Sequence, residues 1–115
     1  MSINLTAGQA LHLWHQANLH MVLDEDHDLS VRQMAILLTI YLETPPHTVR
    51  GLASKLNVSQ PVITRALDSM GILGLVSRRR DEKDKRNVLI QRTVEGSLYL
   101  EKLGDMIVTQ AQLQG

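Results

Sequence analysis

Apolar residues recur along this chain at two spacings, and the change from one to the other marks out its elements. Over residues 6–23, Ala10, Trp14, Ala17 and Met21 fall three or four apart, and Leu11, Leu13, Leu19, Val22 and Leu23 spread around the rest of the turn. A helix that is apolar on more than one face needs two neighbours. This one is expected to meet both its own core and a partner subunit. Thr6-Ala7-Gly8-Gln9 has the spacing of a capping box, in which a hydroxyl and a side-chain amide satisfy end amides reciprocally. Residues 24–28 follow as an acidic, solvated loop. Ser30-Val31-Arg32-Gln33 repeats the capping pattern and opens a helix over 30–43. There Val31, Met34, Ala35, Leu38, Tyr41 and Leu42 form the helical stripe, with Ile36, Leu37 and Ile40 on other faces, so the helix should be central and largely buried. Pro45-Pro46 ends it, because proline has no amide hydrogen to continue the ladder.

Two short amphipathic helices come next. Thr48 either adds a strand residue or caps a helix over 49–56, whose inward side is Val49, Leu52, Ala53 and Leu56. Asn57 stands where the chain must turn, and Asn tolerates left-handed backbone better than most residues. Ser59 is a good N-cap and Pro61 fits a first turn, so a second helix runs over 60–71. Ile63, Ala66, Leu67 and Met70 point inward from it; Gln60, Pro61, Thr64, Arg65 and Asp68 point outward. Gly71 and Gly74 end it. The period then shortens. Residues 75–78 and 87–91 read as paired strands in a hairpin spanning 75–92, with a charged tip. Thr93 caps a last helix over 94–112 that carries Leu98, Tyr99, Leu103, Met106 and Ile107. The predicted fold is mainly α: a winged helix-turn-helix, helices plus a small β-hairpin wing, forming one domain over 1–115.

Composition narrows the function. Aromatics make up 3% of the chain and Phe is absent, so Leu, Ile, Val and Met must fill the core. With no cysteine, disulfides, thiolate-bound zinc and thiol redox chemistry are excluded. No secretory leader and no span long enough for a bilayer are read at the sequence level, so a cytoplasmic protein without a membrane role is expected. Net charge is zero, yet charge is segregated. Residues 1–49 hold Asp24, Glu25, Asp26, Asp28 and Glu43 against Arg32 alone. Residues 50–92 hold Arg50, Lys55, Arg65, Arg78, Arg79, Arg80, Lys83, Lys85, Arg86 and Arg92 against Asp68, Asp81, Glu82 and Asp84. A basic middle in a neutral chain suits nucleic-acid contact, because only the contact face needs positive potential.

Read consecutively, these segments resemble the MarR family of winged helix-turn-helix regulators. Asp28-Leu29-Ser30-Val31-Arg32-Gln33-Met34-Ala35-Ile36-Leu37 resembles the family's entry into its second helix. Residues 52–68, from Leu52-Ala53-Ser54-Lys55-Leu56 through Asn57-Val58-Ser59-Gln60-Pro61 to Asp68, resemble its helix-turn-helix. Gly74-Leu75-Val76-Ser77-Arg78-Arg79 and Asp81-Glu82-Lys83-Asp84-Lys85-Arg86 fall on its strand and wing pattern, including the Asp-x-Arg near the tip. Thr93-Val94-Glu95-Gly96 resembles the start of its fifth helix. The likeness covers roughly residues 19–103. This chain departs from the pattern in three places. Arg92 stands where the family generally has an aliphatic residue, and Arg80 replaces a frequent Pro. The family usually continues through a further C-terminal helix, so a dimer of this chain is expected to rest on the first and last helices alone.

The expected function is that of a sequence-specific double-stranded DNA-binding transcriptional regulator, with the 60–71 helix in the major groove and the 79–86 wing in the minor groove. Arg65 and Gln60 have the donors and acceptors to discriminate base edges, Ser59 and Thr64 suit phosphate, and Pro61 lies on the same face. Arg79, Arg80, Lys83, Lys85 and Arg86 gather cations at a narrow tip, which suits a narrow minor groove. The resemblance implies that Arg86 inserts. Asp84 is expected to orient a neighbouring Arg, and Asp68 to do the same from the helix. The plain alternatives are a solvated helix face and a flexible charged loop. A rival functional class is a winged-helix interaction or scaffold module without DNA specificity; that reading predicts apolar residues where Thr64, Arg65 and Asp68 stand. His12, His15 and His20 with Asp24 could offer metal ligands at helical spacing, but a third ligand is missing and surface or interface histidines explain them better. No cofactor, no metal and no catalytic residues are expected. The partners expected are a pseudo-palindromic operator and a second copy of the chain. The resemblance admits a small-molecule effector, though no residue pattern supports one.

Overall fold

The computed structural model describes residues 4–24 and 27–114. Its elements are α1 (Ala7–Leu23), α2 (Val31–Leu42), β1 (His47–Thr48), α3 (Val49–Leu56), α4 (Gln60–Ile72), β2 (Val76–Arg80), β3 (Val88–Arg92) and α5 (Val94–Gln112). They form two compact units, one drawn from Met1–Asp28 and Leu100–Gly115, the other from Leu29–Tyr99. Among the described residues no helix is long and apolar enough to cross a membrane.

In the first unit two hydrogen-bonding contacts join α1 to the end of the chain. Gln9 Nε2 donates to the Gln114 carbonyl at 2.9 Å, and Gln110 Nε2 lies 3.1 Å from His20 Nε2. Thr6 and Gln9 complete the capping box of α1. The expected stripe is rotated, however. Ala17 is the buried residue, flanked by half-buried Leu13, Gln16 and Met21, whereas Ala10 and Trp14 face solvent. Only one narrow face of α1 is covered, and Leu11, Leu19, Val22 and Leu23 stay exposed as well. In the acidic loop Asp24 is half-buried and Asp28 exposed; Glu25 and Asp26 lie outside the described residues.

The second unit is the winged helix. Ile36, Leu37 and Ile40 of α2, Leu52 and Ala53 of α3, Ile63, Ala66, Leu67 and Met70 of α4, and Leu75, Val76 and Ile90 are its buried apolar core. Burying each large aliphatic side chain fully contributes roughly 1.5–3 kcal/mol. Ser30 and Gln33 cap α2 as the spacing predicts. The buried face of α2 differs from the predicted stripe: Val31 and Leu42 are exposed, and Ile36, Leu37 and Ile40 are the contact residues. α2 meets α4 and β3, and those partners select the face that points at them.

The sheet runs β1-β3-β2, all antiparallel. Thr48 does both things foreseen for it: it pairs with Leu89 in β1, and its hydroxyl accepts from the Gly51 amide to cap α3. The hairpin strands extend one or two residues further toward Arg80 and Arg92 than the apolar run suggests. Backbone pairing continues through polar residues because the ladder uses no side chains.

Candidate nucleic-acid interface

α3 and α4 each end in a left-handed residue. Asn57 has φ 56°, and Val58 and Asn57 donate their amides back to the Ala53 and Ser54 carbonyls. Gly74 has φ +78°, with Leu75 and Gly74 donating to Met70 and Gly71. Both are Schellman terminations, in which one αL residue lets two amides satisfy end carbonyls. Gly71, expected to help end α4, lies inside it; Gly74 makes the turn. Asn57 sets the angle between α3 and α4, and so which face of α4 is left outward.

That face is polar. Ser59, Gln60, Pro61, Arg65 and Asp68 are exposed and Thr64 is half-buried, opposite buried Ile63, Ala66, Leu67 and Met70. Ser59 holds the N-cap backbone conformation but its hydroxyl makes no capping bond. The hydroxyl is therefore available at a helix terminus that favours anions.

The wing is organised by its acids. Asp84 accepts from Arg86 at two points, Nε to Oδ1 at 3.0 Å and Nη2 to Oδ2 at 3.1 Å, and also takes the Arg86 amide. The Arg86 side chain is the chief cause holding the Asp84 carboxyl below its ordinary range, followed by that amide; Arg50 on α3 adds a smaller effect of the same sign. Arg86 is correspondingly raised by Asp84. Asp81 accepts the Lys83 amide and tightens the turn. Arg80 reaches across the hairpin to donate to the Lys85 carbonyl at 2.9 Å. Arg79, Arg80, Lys83, Lys85 and Arg86 are all exposed. Arg79 is opposite Leu89 and so lies on the sheet face away from Val76, while Arg78 shares Val76's face.

Three arginines escaped the sequence reading. Arg78 pairs with Asp68, Nη2 to Oδ1 at 2.7 Å, and ties the outward face of α4 to β2. Period-two alternation on β2 does carry this signal, since Arg78 falls on the same face as buried Val76, where α4 packs. Arg50 acts on the wing tip through space, which no local spacing reveals. Arg92 bonds to the end of α2, Nε to the Ile40 carbonyl at 2.8 Å and Nη2 to the Glu43 carbonyl at 3.0 Å. Among the described residues no group of three or more His, Asp or Glu side chains could hold a metal ion. His12 and His15 stack edge to face, 6.3 Å between ring centres.

This chain is similar to several known regulators. It is 37% identical over 73 residues to the organic hydroperoxide resistance transcriptional regulator of Bacillus subtilis (strain 168), a match covering 64% of this chain and 48% of that protein. The chain thus spans about half the length of that relative. Among solved structures, the transcriptional regulator BldR from Sulfolobus solfataricus superposes with a TM-score of 0.64 at 30% identity, covering 84% of this chain and 66% of that one. The S. aureus MepR–DNA complex superposes with a TM-score of 0.78 at 20% identity, covering 93% and 86%, a likeness of fold. The MarR family model matches residues 29–88, just over half of the sequence and the whole helix-turn-helix up to β3, and the chain belongs to the MarR family.

Proposed function

We propose that this protein is a sequence-specific double-stranded DNA-binding transcriptional regulator acting in the cytoplasm. One observation carries the reading: the polar face of α4 and the cationic wing lie in one compact unit and are joined by the Asp68–Arg78 pair. A major groove admits one α-helix; in this reading Arg65 and Gln60 of α4 address base edges, Ser59 and Thr64 meet phosphate, and Pro61 lies on the same face. Arg86 enters the adjacent minor groove. Its bidentate hold on Asp84 uses two of its donors and leaves the others free. Arg79, Arg80, Lys83 and Lys85 supply phosphate contacts around it. The regulator names of the relatives and the DNA in the MepR complex support this assignment. A scaffold module would present apolar residues on α4, where Thr64, Arg65 and Asp68 stand instead.

The working form in this reading is a homodimer on a pseudo-palindromic operator. Leu11, Trp14, Leu19, Val22 and Leu23 of α1, and Ile107, Val108 and Leu113 in and beyond α5, are exposed in the single chain. An apolar surface of this extent favours a partner, and a two-fold axis doubles the site read.

Selection of bound duplexes from a random library tests the function. A recovered consensus with inverted half-sites is expected, with affinity falling as salt rises by about 0.9 in log–log slope per phosphate neutralised. Recovery of no consensus rejects it.

A further inference from the structure

We infer that Arg92 is a positioning residue for DNA recognition: it contacts no DNA, and it sets the angle of the wing by fastening the foot of β3 to the end of α2. The inference rests on the DNA-binding reading above.

A helix end leaves its last carbonyls without intrahelical partners. α3 and α4 solve this locally with Asn57 and Gly74. α2 does not. Its C-cap Glu43 is extended, φ −99° and ψ 159°, and two prolines follow. The carbonyls of Ile40 and Glu43 are met instead by the two arms of the Arg92 guanidinium, at 2.8 and 3.0 Å. The same guanidinium lies 5.9 Å from the centre of the Tyr41 ring. A cation at a helix C-terminus also complements the helix dipole. An aliphatic side chain at this position could supply none of these contacts.

Location turns this cap into a positioning device. Arg92 is the last residue of β3 and faces Val76 at the foot of β2, so it grips the hairpin where the wing begins. The Glu43 carbonyl that it holds lies 3.1 Å from Nε2 of buried His47, whose strand pairs with Ile90 of β3. The Glu43 carboxylate pairs with Lys55 Nζ at 2.7 Å, on the last turn of α3 before the Asn57 turn into α4. Glu43 therefore meets the wing through Arg92, the sheet edge through His47 and the helix-turn-helix through Lys55. Asp68–Arg78 joins wing and α4 further out; Arg92 fixes the hinge at the root. Two of the five Arg92 donors, on Nε and Nη2, are committed to these carbonyls and orient the guanidinium toward the end of α2.

The test uses the full chain, a selected duplex and four variants: Arg92→Met, Arg92→Lys, Arg86→Ala, and Arg92→Met with Arg86→Ala. Arg92→Met should weaken binding about tenfold, the scale of losing a charge-assisted hydrogen bond. It should lose minor-groove protection from hydroxyl radical while keeping major-groove guanine protection. In the Arg86→Ala background the same change should cost less than about twofold, because the wing contact it serves is already gone. Arg92→Lys keeps the charge without the fork and should not rescue. Hydrogen exchange on the free proteins gives a readout without DNA: β3 amides should exchange faster in Arg92→Met. Unchanged affinity, multiplicative losses in the double variant, full rescue by Lys, or unchanged β3 exchange overturns the positioning role. Failure of the parent chain to bind any duplex rejects the DNA-binding reading itself.

Discussion

Asp84 grips Arg86 with both carboxylate oxygens, at 3.0 and 3.1 Å, on a wing tip where both residues are solvent-accessible. Exposed ion pairs add little to folding stability because water screens them. The geometry matters more than the energy. A two-point contact fixes the guanidinium plane and spares it much of the ordering that groove insertion would otherwise require.

Asp84→Ala should therefore weaken DNA binding, although it removes a negative charge from a surface meant for phosphate. Simple charge counting predicts the opposite sign. Fluorescence anisotropy with a selected duplex decides between them: tighter binding by the variant leaves repulsion as the only role for Asp84.

The same pair has a pH signature. Asp84 titrates below its ordinary value of 3.8, chiefly because of Arg86. A depressed carboxylate contributes above its unfolded value and loses its effect as pH falls through the folded one. The Arg86 Nε proton should stay hydrogen-bonded down to about pH 4 and be released only below that. NMR of the arginine Nε–H group across pH 2–6 checks it, and release above pH 5 would contradict the pairing.

Arg65→Ala should cost about 1–3 kcal/mol of discrimination and relax preference at one base position in each half-site. The fold should be unaffected, because the residue is exposed on α4. If selected and random duplexes bind the variant as they bind the parent, α4 is not the reading element.

Gly96→Ala tests the packing beneath the wing. Gly96 is buried, and an added Cβ would collide with the Tyr41 hydroxyl and the Leu75 carbonyl. Helix propensity favours Ala over Gly by roughly 1 kcal/mol, but overpacking costs roughly 1–3. The clash involves backbone, which yields less readily than a side-chain tip, so the net effect should be destabilising. Thermal denaturation should show a lower Tm. Tyr41→Phe should also lower it, since the hydroxyl takes the Thr93 amide at 2.9 Å and serves the Leu75 carbonyl at 2.7 Å. A Tm equal to the parent's for both variants would remove this junction from the fold's support.

Assembly has a direct reporter in Trp14, the chain's single tryptophan, 57% exposed in the isolated subunit. In a dimer built on α1 its emission should shift to the blue, and dilution should shift it back. Sedimentation equilibrium should follow the same midpoint. A monomer at every concentration, with and without a palindromic duplex, would exclude the homodimer.

Elements whose interactions span three or four residues were legible in the sequence. Thr6–Gln9, Ser30–Gln33, Thr48–Gly51 and Thr93–Gly96 are all cap contacts of that reach, and the helix bounds follow from them. Asn57 and Gly74 mark the turns because left-handed backbone restricts residue choice. The Asp84–Arg86 contact spans two residues, so its chemistry too was readable at the wing tip. Tertiary structure decided the rest. Arg92 and the Ile40 carbonyl are 52 residues apart, and Tyr41 and Leu75 are 34 apart. The buried face of α2 depended on where α4 and β3 would stand: periodicity pointed to the stripe through Val31 and Leu42, which are exposed, while Ile36, Leu37 and Ile40 are buried. Alternation along β2 put Arg78 on the face of buried Val76, but its partner Asp68 came only with the packing of α4. A short-range hydrogen bond leaves its partners at fixed sequence spacing; a long-range one is fixed only when packing brings distant backbone together, and no spacing records that.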